Sequence, residues 1–275
     1  MKKILITGNS GYIGSHLSKM LDHSQFEIYG IDRDDPIIPV DHFTKFNINN
    51  VDHWPYQDIE FDYLIHLAAE KVVSDSVNTP AIYYETNIFG TLNVLSNIKS
   101  KHYLIASTGA AESLTSPYAI SKRAMEQVVV EKCTSDYTIF RFYNVVGADG
   151  IPPREVNGIL YNLIKAKQLG TFNIFGTNFD TPDGSCIRDF IHVYEICQAL
   201  VNAFDCPTNS IENLGHGENI SVLDAINFFK QANDCEFNVV DQGPRPGDEI
   251  ISTLDNPSKF VEKLYSTKDL FKIND

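Results

Sequence analysis

A tyrosine and a lysine four residues apart are the side chains of this sequence best suited to acid–base chemistry. They lie in Tyr118-Ala-Ile-Ser-Lys122, downstream of the glycine-rich segment Thr7-Gly8-Asn9-Ser10-Gly11-Tyr12-Ile13-Gly14. Four residues make about one helical turn, so Tyr118 and Lys122 point to the same side of a helix. An ammonium beside a phenol favours the phenolate and lowers the pKa of the tyrosine toward neutrality. Such a tyrosine can take a proton from a sugar or alcohol hydroxyl while a nicotinamide accepts the hydride, which indicates redox chemistry at a carbinol carbon.

The same spacing occurs a second time, in Tyr161-Asn-Leu-Ile-Lys165, so context has to separate the two copies. Tyr118 follows an apolar run over residues 102–106 that ends in Ser107-Thr108. This run is typical of a buried strand that delivers hydroxyls to its carboxyl end, where open α/β sheets bind ligands. Tyr161 instead follows Ile151-Pro152-Pro153, which favours an ordinary helix surface. The sequence therefore assigns the chemistry to the first copy.

Composition bounds the class of protein. With 275 residues, 43% of them hydrophobic and 21% charged, the chain can bury a full core as one large domain or two lobes. A net charge of −14 argues against a nucleic-acid or acidic membrane partner, although local arginines and helix amides suffice for a phosphorylated ligand. The five cysteines form no CxxC pair, which predicts reduced thiols and no metal site. No apolar stretch approaches a membrane span or a signal peptide, so we expect a cytoplasmic protein.

Strand-like apolar runs alternate with helical patterns in the first half of the chain. The predicted strands are residues 3–6, 27–31, 62–67, 103–106 and 138–142, and the predicted helices are 12–21, 81–98 and 118–132. The alternation predicts an α/β fold with a doubly wound parallel (Rossmann) sheet. Turn-rich loops and helices at 157–168, 221–231 and 256–264 then predict a smaller mixed α/β substrate lobe. We expect a dinucleotide-binding domain over residues 1–146, rejoined by 189–204, and the smaller lobe over 147–275.

The first predicted strand runs directly into Gly8, Gly11 and Gly14. Glycines there allow a tight turn, close approach of the backbone to a pyrophosphate and close packing of helix on strand. The anion then lies on the amides of a helix N-terminus. Asp32 ends the second strand, where a carboxylate accepts hydrogen bonds from the adenosine ribose and repels a 2′-phosphate. We therefore expect NAD as the cofactor rather than NADP, although the adjacent Arg33 is suited to holding a phosphate.

Further motifs extend over nearly the whole chain. They are Asp62-Tyr-Leu-Ile-His-Leu-Ala-Ala69, Tyr83-Tyr-Glu-Thr-Asn-Ile-Phe-Gly-Thr-Leu92, Arg141-Phe-Tyr-Asn-Val-Val-Gly147, Ile174-Phe-Gly, Thr181-Pro-Asp-Gly-Ser-Cys-Ile-Arg-Asp-Phe-Ile-His-Val193, Asn213-Leu-Gly and Arg245-Pro-Gly-Asp248. Together with the glycine-rich segment they resemble the extended short-chain dehydrogenases/reductases. Within that family the chain is similar to the UDP-glucose 4-epimerases and UDP-N-acetylglucosamine 4-epimerases, of which residues 181–193 are the most characteristic segment.

The resemblance implies a role for each matching residue. Tyr118 would be the acid/base, Lys122 its electrostatic partner and Thr108 the hydrogen-bond partner of the reacting hydroxyl. Cofactor contacts are implied for Gly8, Gly11, Tyr12, Ile13, Gly14, Asp32, Asn47, Ile48, Leu67, Ala68, Ala69, Lys71, Asn87, Ala106, Tyr118, Lys122 and Phe142. Substrate contacts are implied for Thr108, Tyr118, Asn144, Arg188, Arg245, Asp248 and Ser252. Hydride would leave C4 of the UDP-sugar for NAD⁺ and return to the other face of the rotated 4-keto sugar, which inverts C4.

The chain departs from this family pattern in three places. Thr108 and Tyr118 are only ten residues apart, with Ala111-Glu112-Ser113 where the family usually has Val-Tyr-Gly. The last helices of the family are expected to be trimmed, and Asn47-Ile48 stands where the family often has Asp-Ile beside the adenine. Ser252 replaces a bulky aromatic residue of some relatives, which leaves room for a 2-acetamido group and makes a UDP-N-acetylhexosamine a candidate substrate.

Other functions remain open at this point. A dehydratase needs carboxylates directly after the Ser/Thr, where this chain has Gly109-Ala110, and a decarboxylase usually has a glutamate there, whereas Glu112 is displaced. An NADP-dependent keto-sugar reductase and a non-catalytic NAD-binding regulator are the further alternatives, although a regulator has no chemical need for the Thr-Tyr-Lys set. The resemblance also predicts a homodimer through helices 81–98 and 118–132, while residues 128–130 could equally belong to the core.

Overall fold

The computed structural model describes residues 1–151, 153 and 158–273. Its strands are β1 Lys2–Thr7, β2 Phe26–Asp32, β3 His42–Lys45, β4 Glu60–His66, β5 Lys99–Thr108, β6 Asp136–Phe142, β7 Asn144–Val146, β8 Thr171–Ile174, β9 Ile187–Arg188, β10 Phe190–His192, β11 Ile211–Leu214, β12 Ile220–Ser221, β13 Asn238–Asp241 and β14 Ile251–Ser252. Its α-helices are α1 Tyr12–Met20, α2 Val73–Asn78, α3 Pro80–Tyr84, α4 Thr91–Asn97, α5 Pro117–Lys132, α6 Ile159–Leu169, α7 Val193–Asn202 and α8 Val222–Ala232. A π-helix, Glu85–Gly90, joins α3 to α4, and 3-10 turns lie at Gly109–Glu112 and Asp269–Phe271.

Seven strands form one parallel sheet in the order β11-β6-β5-β4-β1-β2-β3. The chain builds outward from β1 first through β2 and β3, and then on the other side through β4, β5 and β6. The order therefore reverses next to β1, and open α/β sheets bind ligands at the carboxyl edge beside such a reversal. The doubly wound α/β fold predicted from the sequence is confirmed.

Helices cover both faces of this sheet. On one face α1 and α7 share an apolar cluster that includes Leu17, Ile196 and Leu200. On the other face α4 and α5 share a cluster that includes Val94 and Val129. Residues buried from both sides explain why the central strands are apolar runs rather than alternating patterns. None of the helices formed by the described residues has the length and apolar character needed to cross a membrane.

A smaller mixed α/β lobe has its own apolar cluster, which confirms the second part of the predicted fold class. Helices α6 and α8 pack there around β8, and the cluster includes Leu163, Phe172, Phe229 and Phe271. Its sheets are small: β8 pairs with β13 in parallel, and β9 lies between β12 and β14. The predicted division at residue 146, with 189–204 rejoining the first domain, stays a prediction that the packing of α7 on α1 supports.

Two helix predictions need correction. Residues 81–98 are not one regular helix, because the π-helix Glu85–Gly90 interrupts it. Residues 256–264 were expected to be helical and are not, which makes that prediction wrong. Their backbone is held by tertiary partners instead: the amide of Ser258 donates to the carbonyl of Asn213, and the amide of Leu264 donates to Glu195. Residue 157, the expected start of the helix observed as α6, lies outside the described residues.

Candidate active site

Strand β5 and helix α5 position the predicted catalytic side chains. Thr108 is the last residue of β5, and its Oγ1 accepts a hydrogen bond of 3.3 Å from the amide of Ala110. Ser116 caps α5 by accepting from the amide of Ala119 at 3.2 Å, and Pro117 lies in the first turn, where its missing N–H costs nothing. This start of the helix places Tyr118 in the first turn, where its ring packs edge-on against Tyr83 at 6.4 Å.

Lys122 is buried one turn further along α5. Its side chain is almost inaccessible to solvent, and its Nζ donates a hydrogen bond of 2.6 Å to the carbonyl of Ala106 on β5. Burial lowers the pKa of Lys122 to about 8, and the nearby charge of Glu126 opposes part of that shift. The ammonium is therefore present at neutral pH and is lost in mildly alkaline solution. A lysine in this state supplies the positive charge that favours a phenolate on the same helix face.

His66 is a buried group near Lys122 that the sequence analysis did not single out. It ends β4, and its ring contacts the hydroxyls of Thr7 at 2.6 Å and Thr91 at 2.9 Å. Burial lowers the pKa of His66 to about 3, and the charge of Lys122 adds to that effect, so the imidazole is neutral. A histidine inside an otherwise apolar strand was the signal available in the sequence. Because His66 is neutral, it adds no second positive charge beside Lys122.

A cavity of about 390 Å³ lies at the carboxyl edge of the large sheet, between the two lobes. The predicted site residues that line it are Tyr12, Ile13, Lys71, Thr108, Tyr118, Phe142, Asn144, Arg188, Arg245, Asp248 and Ser252. The fold thus brings together residues that are distant in the sequence. Tyr143, Phe175 and Cys186 also line the cavity and were not predicted. The size is within the range of small-molecule and cofactor sites.

The smaller lobe contributes two arginines to the cavity wall. Arg188 donates to the carbonyls of Ile187 at 2.8 Å and Glu249 at 2.7 Å. Arg245 donates through Nε to Asp248 at 2.8 Å, and its guanidinium stacks over the Phe175 ring at 4.1 Å. These contacts hold both cations in place without a ligand. Two guanidinium groups beside one cavity are donors suited to a diphosphate, although Asp248 pairs with Arg245.

The glycine-rich loop after β1 fits a dinucleotide. Gly8 has a φ of +78°, and a Cβ there would lie 2.7 Å from the backbone nitrogen of Ala68. Helix α1 begins after Gly11, which has no side chain to cap the first helix amides. Asp32 ends β2 and accepts a hydrogen bond of 2.9 Å from the amide of Ser10, which fixes the carboxylate beside the loop. The loop therefore combines the features expected of a dinucleotide site, which are a glycine turn, a helix N-terminus and a nearby carboxylate.

The cavity wall does not include seven of the other predicted cofactor residues: Asn47, Ile48, Leu67, Ala68, Ala69, Asn87 and Ala106. Leu67, Ala68 and Ala69 form the connection after β4, and Ala106 lies in β5. Asn47 is exposed and accepts from the amide of Asn49, whereas Ile48 is buried. Asn87 is fully buried in the π-helix, and its amide group exchanges two hydrogen bonds of 2.9 Å with the backbone of Glu70. Asn87 thereby fixes the segment that carries Lys71 into the cavity.

Arg33, the residue suited to a 2′-phosphate, is engaged elsewhere. Its Nη1 forms an ion pair of 2.8 Å with Glu70. The Asp32 carboxylate accepts from the amides of both Ser10 and Asp34. A negative charge held at this position disfavours the additional phosphate of NADP.

The short turn after Thr108 supplies no carboxylate to the cavity. Gly109 and Ala110 continue the cavity wall, while the Glu112 carboxylate binds the guanidinium of Arg141. Elimination of water needs an acid and a base beside the reacting carbon, and this turn provides neither. The geometry disfavours the dehydratase and the decarboxylase alternatives.

Comparisons with known proteins agree with this arrangement. The sequence model of the NAD dependent epimerase/dehydratase family matches residues 4–215. The UDP-glucose 4-epimerase of Caenorhabditis elegans is 29% identical over 320 aligned positions, which cover 95% of this chain and 91% of that protein. The UDP-glucose 4-epimerase of Haemophilus influenzae is 30% identical, with coverage of 95% and 91%. The alignment with the C. elegans protein has more positions than the 275 residues of this chain, so that relative carries insertions.

Among solved structures, the chain is similar to UDP-glucose 4-epimerase from Bifidobacterium longum in complex with NAD⁺ and UDP. The TM-score is 0.84 at 24% sequence identity, over 98% of this chain and 96% of that one. At this level of identity the similarity concerns the fold. It confirms the α/β fold of the chain.

Proposed function

The chain belongs to the NAD dependent epimerase/dehydratase family, and from this membership we propose that it is a UDP-sugar 4-epimerase with NAD as its cofactor. One observation carries the proposal: a single cavity joins Thr108 of β5 and Tyr118 of α5 to Arg188 and Arg245 of the smaller lobe. The first pair is suited to proton transfer at a sugar hydroxyl. The second pair is suited to a diphosphate. When bound, NAD supplies a hydride acceptor that can return the hydride to the same carbon.

In this proposal the side chains of β5 and α5 handle the proton. Tyr118, as a phenolate, accepts the proton of the sugar 4-hydroxyl and later returns it to the 4-keto oxygen. Lys122 stabilises the phenolate by its charge. Thr108 Oγ1 already accepts from the Ala110 amide, so its own hydrogen is directed elsewhere, and we assign it to the reacting oxygen of the sugar.

The nucleotide end of the substrate would lie against the smaller lobe. We assign the diphosphate to Asn144, Arg188 and Arg245, and the uridine ribose to Asp248. Arg245 and Asp248 are paired in the structure at 2.7 Å. A diphosphate would compete with Asp248 for the guanidinium, and the carboxylate would then accept hydrogen bonds from the ribose hydroxyls. The two residues together would therefore recognise a nucleoside diphosphate rather than a simple anion.

Proton NMR of the purified protein with UDP-GlcNAc, and separately with UDP-glucose, tests the function. No cofactor is added, because an epimerase restores its NAD in each turnover. We expect a new anomeric signal from the galacto epimer. A protein that forms no epimer but reduces a 4-keto sugar with NADPH would be the reductase alternative. Bound NAD with no turnover under either condition would indicate the non-catalytic regulator.

We propose that the sugar pocket also accepts an N-acetylated hexose, because the small Ser252 lines it. Replacement of Ser252 by tyrosine is expected to lower kcat/KM for UDP-GlcNAc by about tenfold or more, since the ring would occupy the space of the 2-acetamido group. The kcat/KM for UDP-glucose should change by less than about threefold. Ile251→Tyr is the matched control, because Ile251 is adjacent on β14 and 55% exposed. Equal losses for both sugars in Ser252→Tyr would contradict the assignment.

We also propose that two copies of the chain associate through α3, the π-helix and α5. Large apolar side chains on these elements are exposed: Ile82, Phe89, Ile120 and Val130. Val129, by contrast, belongs to the core. A second copy would cover the exposed set.

Phe89→Asp is expected to convert the homodimer to a monomer, because the ring is 60% exposed and a carboxylate would be desolvated in the interface. Light scattering coupled to size-exclusion chromatography measures the mass. Leu169→Asp is the control, since Leu169 is 68% exposed on α6 of the other lobe, and this variant should remain dimeric. A monomeric wild type, or a dimeric Phe89→Asp variant, would refute the interface.

The cysteines support a proposal for the cellular location. All five are free thiols. Free thiols are the ordinary state of cysteine in the reducing cytosol. We propose that the enzyme acts in the cytoplasm.

A further inference from the structure

One buried carboxylate connects the two elements that carry the proposed catalytic residues, α5 and β5, to the neighbouring strand β6. Glu126 on α5 is 2% exposed and accepts hydrogen bonds of 2.8 Å from both Nε and Nη2 of Arg141. It also accepts a hydrogen bond of 2.6 Å from Ser107 Oγ. Arg141 lies near the end of β6, and Ser107 lies near the end of β5. The contacts of Glu126 therefore fix α5 against the carboxyl ends of both strands.

The partners of Glu126 are immediate neighbours of the residues assigned to the reaction. Glu126 follows Lys122 by one helical turn and Tyr118 by two, so the three share one face of α5. Ser107 directly precedes Thr108 in β5. A shift of α5 along its axis would break the contact with Ser107 and would move the Tyr118 phenol relative to the Thr108 hydroxyl.

Arg141 extends the same connection to the short turn after Thr108. Its Nη1 binds the carboxylate of Glu112, which is 55% exposed on the 3-10 turn. The nine residues between Thr108 and Tyr118 are thus held near their middle by a side chain of β6. This exposed contact is the weaker one, because solvent screens it.

We propose that Ser107, Glu112, Glu126 and Arg141 form a positioning junction that places the Thr108 hydroxyl and the Tyr118 phenol at the same substrate oxygen. The inference rests on the proposed function, since it concerns the geometry of that reaction. Glu126 and Arg141 are positioning residues and not catalytic ones. A displacement of a catalytic group by about 1 Å is enough to lower a rate by about 100-fold. A small displacement of the Glu126–Arg141 pair should therefore change kcat strongly.

The junction also has an electrostatic effect on Lys122. Burial alone would raise the pKa of Glu126, but the hydrogen bonds from Arg141 and Ser107 outweigh burial and hold that pKa below its ordinary value. Glu126 is therefore ionised at neutral pH, and its charge raises the pKa of Lys122 against the effect of burial. Three other titratable groups interact with Lys122, Glu126 or Arg141. They are Arg123 on α5, His66 on β4 and Tyr143 after β6. His66 is neutral, and Arg123 is largely exposed.

Two substitutions separate the positioning effect from the electrostatic one. Glu126→Gln keeps the shape of the side chain but removes its charge, so the surroundings of Lys122 become more positive and its pKa falls. Ser107→Ala removes only the hydrogen bond to β5 and changes no charge. Both should lower kcat, by about 10- to 100-fold for Glu126→Gln, with KM within about twofold. Only Glu126→Gln should move the alkaline limb of the pH–rate profile, by about one unit toward lower pH.

Glu131→Gln is the control, because Glu131 is an exposed carboxylate on the same helix that accepts from Gln127. It should leave both kcat and the pH profile unchanged. Ser107→Ala leaves the two hydrogen bonds from Arg141 to Glu126 in place, so it tests the junction even where Glu126→Gln is unstable. An active wild type with unchanged kcat in both variants overturns the junction alone. A lower kcat in Glu126→Gln that tracks the loss of melting temperature, without any shift of the alkaline limb, also overturns it. A wild type without epimerisation overturns the proposed function and the junction with it.

Discussion

Replacement of Tyr118 by phenylalanine is expected to lower kcat for UDP-sugar epimerisation by about 10²- to 10⁴-fold, the usual contribution of a positioned acid/base group. The substitution removes one hydroxyl and leaves the ring in its edge-on contact with Tyr83. The free energy of unfolding should therefore change little, and NAD should remain bound because the glycine-rich loop is untouched. Initial rates by proton NMR measure kcat, and the absorbance of cofactor released from denatured protein measures the NAD content.

The chain offers its own control for this substitution. Tyr161 is followed four residues later by Lys165 on α6, so it repeats the spacing of Tyr118 and Lys122 outside the wall of the cavity. Tyr161→Phe should retain the wild-type kcat. If Tyr118→Phe retained more than about a tenth of the wild-type kcat, the phenol could not be the acid/base of the reaction.

The sequence predicted the five inner strands of the large sheet and missed its two edge strands, β3 and β11. Strand β1 was recognised because Ile4, Leu5 and Ile6 run directly into a glycine-rich turn. Strand β3, His42–Lys45, was missed because it lies at the edge of the sheet and has no apolar run. The prediction of a helix at 256–264 was wrong for a different reason. Its amides bind Asn213 and Glu195, which are remote in the sequence, and local periodicity does not contain such partners.

In the candidate site, too, local spacing could be predicted from the sequence and contacts between remote residues could not. Tyr118 and Lys122 could be identified from the sequence because they are one helical turn apart. The strand that precedes them distinguished this copy of the spacing from the second one. The ion pair of Glu126 with Arg141 could not be predicted from the sequence, because it joins two elements whose relative position only the fold determines. The resemblance implied a substrate contact for Arg188, and the structure places this residue in the cavity wall. Its hydrogen bonds to backbone carbonyls, which hold it in place, depend on the pairing of β9 with β14.

Lys122 combines a proposed catalytic role with a cost to stability. Its pKa in the folded protein is about 8, compared with an ordinary value of 10.5. Below pH 8 the folded protein holds a buried ammonium, which is destabilising by roughly 3 kcal/mol relative to the unfolded chain. Between pH 8 and pH 10.5 the folded state loses this proton while the unfolded state keeps it, so the cost disappears as the pH rises. With respect to Lys122, the folded protein is therefore most stable at high pH, and it loses that stability as the pH falls toward 8.

Lys122→Met should consequently abolish turnover and stabilise the fold at neutral pH. The thioether fills a similar volume without a charge, while the lost hydrogen bond to Ala106 costs about 1 kcal/mol. The net gain in unfolding free energy should be about 1–2 kcal/mol at pH 7 and should vanish near pH 10. Urea unfolding of both proteins at the two pH values measures it. Lys165→Met, on the exposed second copy of the spacing, should change neither stability nor kcat. A Lys122→Met variant that is less stable than wild type at pH 7, or that still turns over the sugar, would show that the lysine is a structural residue and not the electrostatic partner of Tyr118.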